Sequence, residues 1–385
     1  MANALTFEVL RNLIGFDTTS ANSNLALMGY IQTFLNEYGV ESQLIYDQEE
    51  KKANLYATLG PKDKPGVMLS GHTDTVPVTG QNWQKAPYEL TEEEGRYYGR
   101  GTSDMKGFIA VVLAAVPEIV KQDLHTPIHL AFSYDEEIGC VGVRRMIDTL
   151  KQHPLKPGIC IIGEPTLMRV VTAHKGKLAA RVTVKGKECH SGMAPWGVNA
   201  VNYAARLITW LEKLAHKKRD QGPFENGYDI PYSTVHTGTV HGGTALNIVP
   251  NQCSFLFEIR NIASDDPRAM LAEFQAYADS LVTEMRQIDA GCDIAIDITT
   301  EYPGLSTADD AEVVSFVQSL TDEKTRGSIN FGTEGGLFSQ VLGVPTVVCG
   351  PGSMDQGHKP DEFIHKSQLQ SCELFMDRLI RQLKA

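Results

Sequence analysis

Apolar residues recur at helical spacing over residues 5–39, in two stretches separated by Asp17-Thr-Thr-Ser-Ala-Asn-Ser-Asn24. That pattern predicts two helices, and the Ser, Thr and Asn cluster offers N-cap candidates for the second. The period then shortens. Residues 42–46, 54–59 and 66–71 are short runs rich in apolar or β-branched side chains and read as strands, with Gly60-Pro-Lys-Asp-Lys-Pro65 turning the chain between the last two. Residues 79–101 read as loop, with Gly80, Pro87, Gly95 and Gly99 along them, and a helix is predicted from about 106 to 121. A strand over 128–134, a helix over 141–153, a buried-looking strand over 158–162 and, far downstream, another over 344–349 complete the alternation. Strands alternating with helices indicate an α/β fold, a mostly parallel sheet with helices on both faces.

Between these halves the pattern changes. Residues 177–185 alternate, a long helix spans about 199–218, strands follow at 234–240 and 253–260, a helix at 267–286, and residues 292–299 alternate again. The order β-α-β-β-α-β is that of a ferredoxin-like α+β unit. It is placed at 176–302, inserted into a first domain made of 1–175 and 303–385. Two domains suit a chain of 385 residues, which exceeds what one core usually serves. Mixed strands leave at least one sheet edge open, and an open edge is where two subunits pair, so a homodimer is expected. No internal repeat or low-complexity tract appears.

Composition narrows the partners. A formal charge of −12 and a pI near 5.4 argue against nucleic acid or an anionic membrane surface. The most basic stretch, 213–219 (KLAHKKR), reads as the solvated end of a helix, where the dipole favours cations. Seven scattered cysteines (140, 160, 189, 253, 292, 349 and 372) with no CxxC read as reduced thiols of a cytoplasmic protein. The first residues, MANALTFEVLRNLIGF, look like an amphipathic helix and not a signal peptide, and no apolar run approaches the roughly 20 residues that span a bilayer. Glycines 99, 101 and 107 do not make the dinucleotide-binding GxGxxG, and neither a Walker A sequence nor a GxSxG elbow occurs.

The chemistry lies at strand ends. In an extended chain His72 and Asp74 of GHTDTVP share a side, so the carboxylate can support the imidazole as a metal ligand. His72, Glu136, Glu137, Glu164 and His358 each lie on or just past a predicted strand end, and Asp104 opens a helix. Ligands bind beyond such ends in open α/β sheets. Carboxylates crowded together resist ionising, and a pair of divalent cations resolves the conflict. Oxygen-rich donors with one imidazole per ion suit Zn²⁺, with Co²⁺ or Mn²⁺ as further candidates, and a bridging carboxylate is how two ions share a site. Neighbouring side chains point apart, so one of Glu136 and Glu137 can bind metal while the other faces the attacking water.

The motifs GHTDTVP, GRGTSDMKG, YDEEIGC, IIGEPT followed by AHKG, KGKECHSGMAP and GPGSMDQGHKPDEF together resemble the dinuclear-zinc amidohydrolases and peptidases of the M20 family, in family order and from about residue 10 onward. The resemblance implies a zinc-peptidase-like catalytic domain with an inserted dimerisation or lid domain. It implies that His72, Asp104 and Glu164 hold one ion and Asp104, Glu137 and His358 the other, with Glu136 as general base and Asp74 supporting His72. It also implies that His190 reaches the partner subunit's site to stabilise the oxyanion, and that Asn247 and Arg260 hold substrate. The implied reaction is hydrolysis of an N-acyl amino acid, with N²-acetyl-L-ornithine favoured. Residues 332–338 (GTEGGLF) lie nearer that pattern than that of the succinyl-diaminopimelate desuccinylases. Succinyl-diaminopimelate desuccinylation, hydrolysis of another N-acyl amino acid or a peptide, and a relative that binds ligand without turnover stay open at this point.

Overall fold

The computed structural model describes residues 3–384. Helices α1 (Ala4–Ile14) and α2 (Leu25–Glu37) precede strands β1 (Ser42–Tyr46), β2 (Ala53–Leu59) and β3 (Val67–His72). After them come a hairpin of β4 (Thr91–Glu93) and β5 (Arg96–Tyr98), then α3 (Lys106–Ile119), β6 (Ile128–Ser133), α4 (Val143–Gln152), β7 (Ile159–Ile162) and β8 (Val170–His174). The middle of the chain holds β9 (Gly176–Lys185), α5 (Ala200–Gln221), β10 (Thr234–Gly242), β11 (Gln252–Asn261), α6 (Pro267–Arg286) and β12 (Asp293–Tyr302). The remainder is β13 (Leu305–Ser306), α7 (Glu312–Leu320), β14 (Arg326–Ile329), α8 (Gly335–Leu337), β15 (Thr346–Val348), β16 (Phe363–His365) and α9 (Lys366–Leu383). Two compact units result: among the described residues, 3–174, 305–328 and 333–384 form one, and residues 175–304 with 329–332 form the other.

The first unit is built on a sheet of order β1-β2-β6-β3-β7-β15-β8-β13, parallel at its centre and antiparallel at its flanks. Every residue of β3 and β6 is buried, as continuous apolar runs require of central strands covered on both faces. Register brings the carboxyl ends level. His72 lies opposite Ser133, and Ile162 opposite both Ser70 and Val348. Side chains just beyond these residues therefore converge on one edge. Helix α3, buried along almost its whole length, packs on β3, with α1 and α9 against it. Gly163, just past β7, permits the close approach, since a Cβ there would fall 2.1 Å from the Phe108 ring. No helix among the described residues is long and apolar enough to cross a membrane.

The second unit is an antiparallel sheet of order β10-β11-β9-β12 with α5 and α6 on one face. Alternation along β9 turns Leu178, Ala180, Val182 and Val184 inward, and Val182 and Val184 share a core with Leu207, Leu211, Phe274 and Leu281. Strand β10 is an edge, and its second half is exposed.

Three local features depart from the periodic reading. Residues 79–101, whose glycines and proline predict loop, hold the β4–β5 hairpin, which pairs with β16 in a separate three-stranded sheet. Strands of three residues, two of them charged in β4, carry no readable period. Strand β8 forms where no strand was expected. The N-cap of α2 is Asn24, but its amide serves Ala53 and Thr73 instead of the helix, while Ser23 Oγ accepts from Leu25 N–H.

Candidate metal centre

Six side chains from five separate segments meet at the level strand ends. His72 ends β3, Asp104 precedes α3, Glu136 and Glu137 follow β6, Glu164 follows β7, and His358 lies in the loop before β16. The Nδ1 of His72 lies 3.0 Å from the main-chain carbonyl of Asp74. A carbonyl can only accept, so Nδ1 carries a proton, and Nε2 is the nitrogen turned towards the carboxylates. That Nε2 is 2.9 Å from Asp104 Oδ1 and 3.7 Å from Glu164 Oε1. The other Asp104 oxygen, Oδ2, is 3.2 Å from His358 Nε2, which is also 3.0 Å from Glu137 Oε2.

Asp74 orders the floor of the site. Its carboxylate lies 3.5 Å from His72 Nδ1, farther than its own carbonyl, and its main work is elsewhere. It accepts the main-chain N–H of Glu136 at 3.0 Å and of Glu137 at 3.2 Å, and the Ser20 hydroxyl at 2.7 Å. Just before this pair Asp135 adopts φ +55°, a region a non-glycine residue keeps only when its surroundings impose it. A 2.6 Å ion pair from Lys52 holds the Asp135 side chain.

Electrostatics follow from burial. His72, Asp104 and Glu164 are each about 2% exposed. Burial pushes Glu136 well above the usual carboxylate range, and burial followed by the charge of Asp104 does the same to Glu164 and raises Glu137 to about 7. Burial would also raise Asp104, but hydrogen bonds from His358 and His72 overcome it and hold Asp104 well below its ordinary value. Hydrogen bonds to Asp104 and Glu137 lift His358 to about 10. Burial works against His72, yet its bonds to Asp104 and Asp74 leave it well above the ordinary imidazole range.

This cluster suits divalent cations. His72, Asp104 and Glu137, and likewise His72, Glu136 and Glu164, each offer ligand atoms within 4.8 Å of one another. Glu164 Oε2 is buried without a hydrogen-bond partner among the described residues, which a buried carboxylate oxygen tolerates poorly unless a cation meets it. Carboxyls that resist ionising beside imidazoles that hold protons form a set short of positive charge.

The other three residues singled out from the sequence lie in the second unit. Exposed His190 and Asn247 are neighbours there, since Ser191 N–H donates to the Asn247 carbonyl at 3.0 Å. His190 Nδ1 accepts from Gly192 N–H at 3.1 Å, which leaves Nε2 as an outward donor. Arg260, on β11, is held by Glu258 at 3.2 Å and by the Tyr302 hydroxyl at 3.0 Å.

Sequence reasoning passed over four contributors. Ser20 belongs to the cap-candidate cluster, but its hydroxyl donates to Asp74 Oδ2 at 2.7 Å, a long-range contact that a lone serine does not announce. Cys140 places Sγ 3.4 Å from Glu136 Oε1. Glu334 is buried, pushed up to about 7 by that burial, with Oε2 3.4 Å from Ser70 Oγ. Glu362 accepts the main-chain N–H of Asp104. The stretches TEGG and PDEF carried the last two in plain view, but only the fold shows what they face.

Residues 68–382 match peptidase family M20/M25/M40. An acetylornithine deacetylase of Pasteurella multocida (strain Pm70) is 33% identical over 362 residues, covering 94% of this chain and 91% of the relative. Another from Proteus mirabilis (strain HI4320) is 33% identical over 385 residues, covering 97% and 95%. Among solved structures, an M20 family metallo-carboxypeptidase from Sulfolobus solfataricus superposes with a TM-score of 0.77 at 20% identity, covering 98% of each chain.

Proposed function

This chain belongs to peptidase family M20/M25/M40 and is a metal-dependent amidohydrolase, and from that premise we propose that it hydrolyses N²-acetyl-L-ornithine to L-ornithine and acetate, a step of arginine biosynthesis. The similarity to acetylornithine deacetylases over nearly the whole chain supports that substrate. The observation that carries the chemistry is the Asp104 carboxylate, with Oδ1 2.9 Å from His72 Nε2 and Oδ2 3.2 Å from His358 Nε2.

Asp104 would be shared by two ions, with His72 and Glu164 completing one ligand set and Glu137 and His358 the other. When bound, divalent ions of the kind these donors suit, Zn²⁺ before Co²⁺ or Mn²⁺, supply Lewis acidity for the amide carbonyl and make water a nucleophile near neutral pH. Glu136 takes the proton of the attacking water and returns it to the departing α-amine. Its main-chain N–H donates to Asp74, which fixes the backbone from which its side chain projects. Asp74 also keeps His72 in its place in the strand end. Arg260 offers a planar fork to the substrate α-carboxylate, held in orientation by Glu258 and Tyr302. Asn247 contacts the substrate, and His190 donates from Nε2 to the developing oxyanion.

His190 does this in the site of a partner subunit. The second unit, at 176–302 in the sequence, serves as dimerisation and lid domain, and its exposed edge strand β10 supports a homodimer. Seven free cysteines fit a reducing cytoplasm. The test is kcat/KM of the metal-reconstituted enzyme for acetylornithine beside acetylcitrulline, acetylmethionine and succinyl-diaminopimelate. Acetylornithine is expected to lead by at least tenfold, and a lead by any other substrate overturns the specificity while leaving the hydrolytic chemistry.

A further inference from the structure

Arg100 and Glu362 are each about 1% exposed and form an ion pair at 2.7 Å directly behind the Asp104 turn. A buried ion pair is a poor source of stability, because desolvation offsets most of the attraction and well-packed apolar side chains would often do as well. Its geometry is therefore informative. Glu362 Oε1 accepts the main-chain N–H of Ser103 at 2.9 Å and of Asp104 at 3.1 Å, and Oε2 accepts that of Gly101 at 3.1 Å as well as Arg100 Nη1. One carboxylate thus grips most of the turn that presents Asp104.

The other end of the pair reaches His358. Arg100 Nη1 donates to the Lys359 carbonyl at 3.3 Å, and Nη2 donates to Gln81 Oε1 at 2.6 Å. Gln81 Nε2 in turn donates to the His358 carbonyl at 2.9 Å. His358 needs such a hold, since it adopts φ +60°, a conformation that persists in a non-glycine residue only when neighbours over-determine it. Trp83 completes the clamp, its Nε1 donating to Gln81 Oε1 at 3.0 Å and its ring facing the Arg100 guanidinium at 4.9 Å. An unbroken line of polar contacts therefore joins the main chain of Asp104 to that of His358, more than 250 residues away in sequence.

We propose that Glu362, Arg100 and Gln81 are positioning residues for metal: together they fix the spacing between the Asp104 turn and the His358 loop, and so set the affinity of the ion these two ligands share. This rests on Asp104 and His358 being metal ligands. Outer partners of this kind typically govern metal affinity by about 10- to 100-fold.

The test is Zn²⁺ titration of chelator-treated protein against a chromophoric competitor, with thermal unfolding of the same samples and the visible absorption spectrum of the Co²⁺ form. Glu362→Gln is expected to weaken Zn²⁺ binding about 10- to 100-fold, and Gln81→Ala about 10-fold, each with an altered Co²⁺ spectrum. Gln81 is only half-buried, so its variant carries the test if Glu362→Gln does not fold. Leu379→Ala, a cavity in α9 remote from the network, is expected to lower the melting temperature with Zn²⁺ affinity unchanged. Asp104→Asn separates the two levels: wild-type affinity in that variant would overturn the metal reading itself. Weakened binding in Asp104→Asn with wild-type affinity in Gln81→Ala and in any folded Glu362→Gln would overturn the positioning inference alone, as would an equal loss of affinity in Leu379→Ala.

Discussion

Asp74→Ala removes an acceptor that three donors depend on. The carboxylate takes the N–H of Glu136 and Glu137 and the hydroxyl of Ser20, at 3.0, 3.2 and 2.7 Å. Hydrogen bonds to a charged group contribute about 1.5–3 kcal/mol each, which gives about 5–9 kcal/mol if all three donors were left unmet. Two effects reduce that sum. Glu136 and Glu137 are half-buried, so water can reach part of the segment, and deleting one carboxylate relieves repulsion among its acidic neighbours. The expected local loss is about 3 kcal/mol, enough to speed amide exchange roughly 100-fold. Hydrogen exchange followed by mass spectrometry reads it directly, in a peptide covering 134–142, and avoids treating a two-unit chain as a single unfolding transition. Asp74→Asn, which keeps one acceptor oxygen, should fall between. Exchange in Asp74→Ala within threefold of wild type would refute the view that this carboxylate holds the Glu136-Glu137 segment in place.

Further outcomes follow from the same geometry. Glu136→Gln should lower kcat by about 10²- to 10⁴-fold while metal content by plasma emission spectrometry stays at the wild-type level, and a variant that keeps most of its turnover removes Glu136 from the base role. His190→Ala should reduce kcat about 10²- to 10³-fold with little change in KM, since an oxyanion forms only in the transition state; a pure KM effect would make it a ground-state contact. His129, stacked on Tyr56 with ring centroids 5.6 Å apart, is lowered from 6.5 to about 4 by burial and then by His153. The unfolded chain therefore takes up this proton first as pH falls, and stability present above pH 6.5 is lost progressively towards pH 4, by about 2–3 kcal/mol. Hydrogen-exchange protection of a peptide covering 126–134, corrected for the intrinsic rate at pH 7 and pH 4.5, should fall less in His129→Phe than in wild type, and an equal fall would refute the assignment.

How much of this the sequence discloses depends on the distance over which each residue acts. Apolar runs of four to six residues mark β3, β6 and β7, and their ends carry His72, Glu136 and Glu164, so the convergence of ligands is readable from period and topology alone. The β4–β5 hairpin is hidden because its strands are too short to show alternation and stand between glycines. Asn24 looks like an ordinary helix cap, and only the fold reveals that its amide links Ala53 to Thr73. Glu362 is the clearest case. It stands within four residues of His358, yet the groups it binds are main-chain N–H donors of Gly101, Ser103 and Asp104, which carry no side-chain signature.

The most direct test of the central claim is anomalous diffraction from crystals of the protein loaded with Zn²⁺, collected on either side of the metal absorption edge. Two peaks about 3.5–4 Å apart are expected, one beside His72 and Glu164, the other beside Glu137 and His358, with the Asp104 carboxylate between them. A single peak, or a pair in which Asp104 touches only one ion, would contradict the shared-carboxylate centre on which the proposed hydrolysis rests.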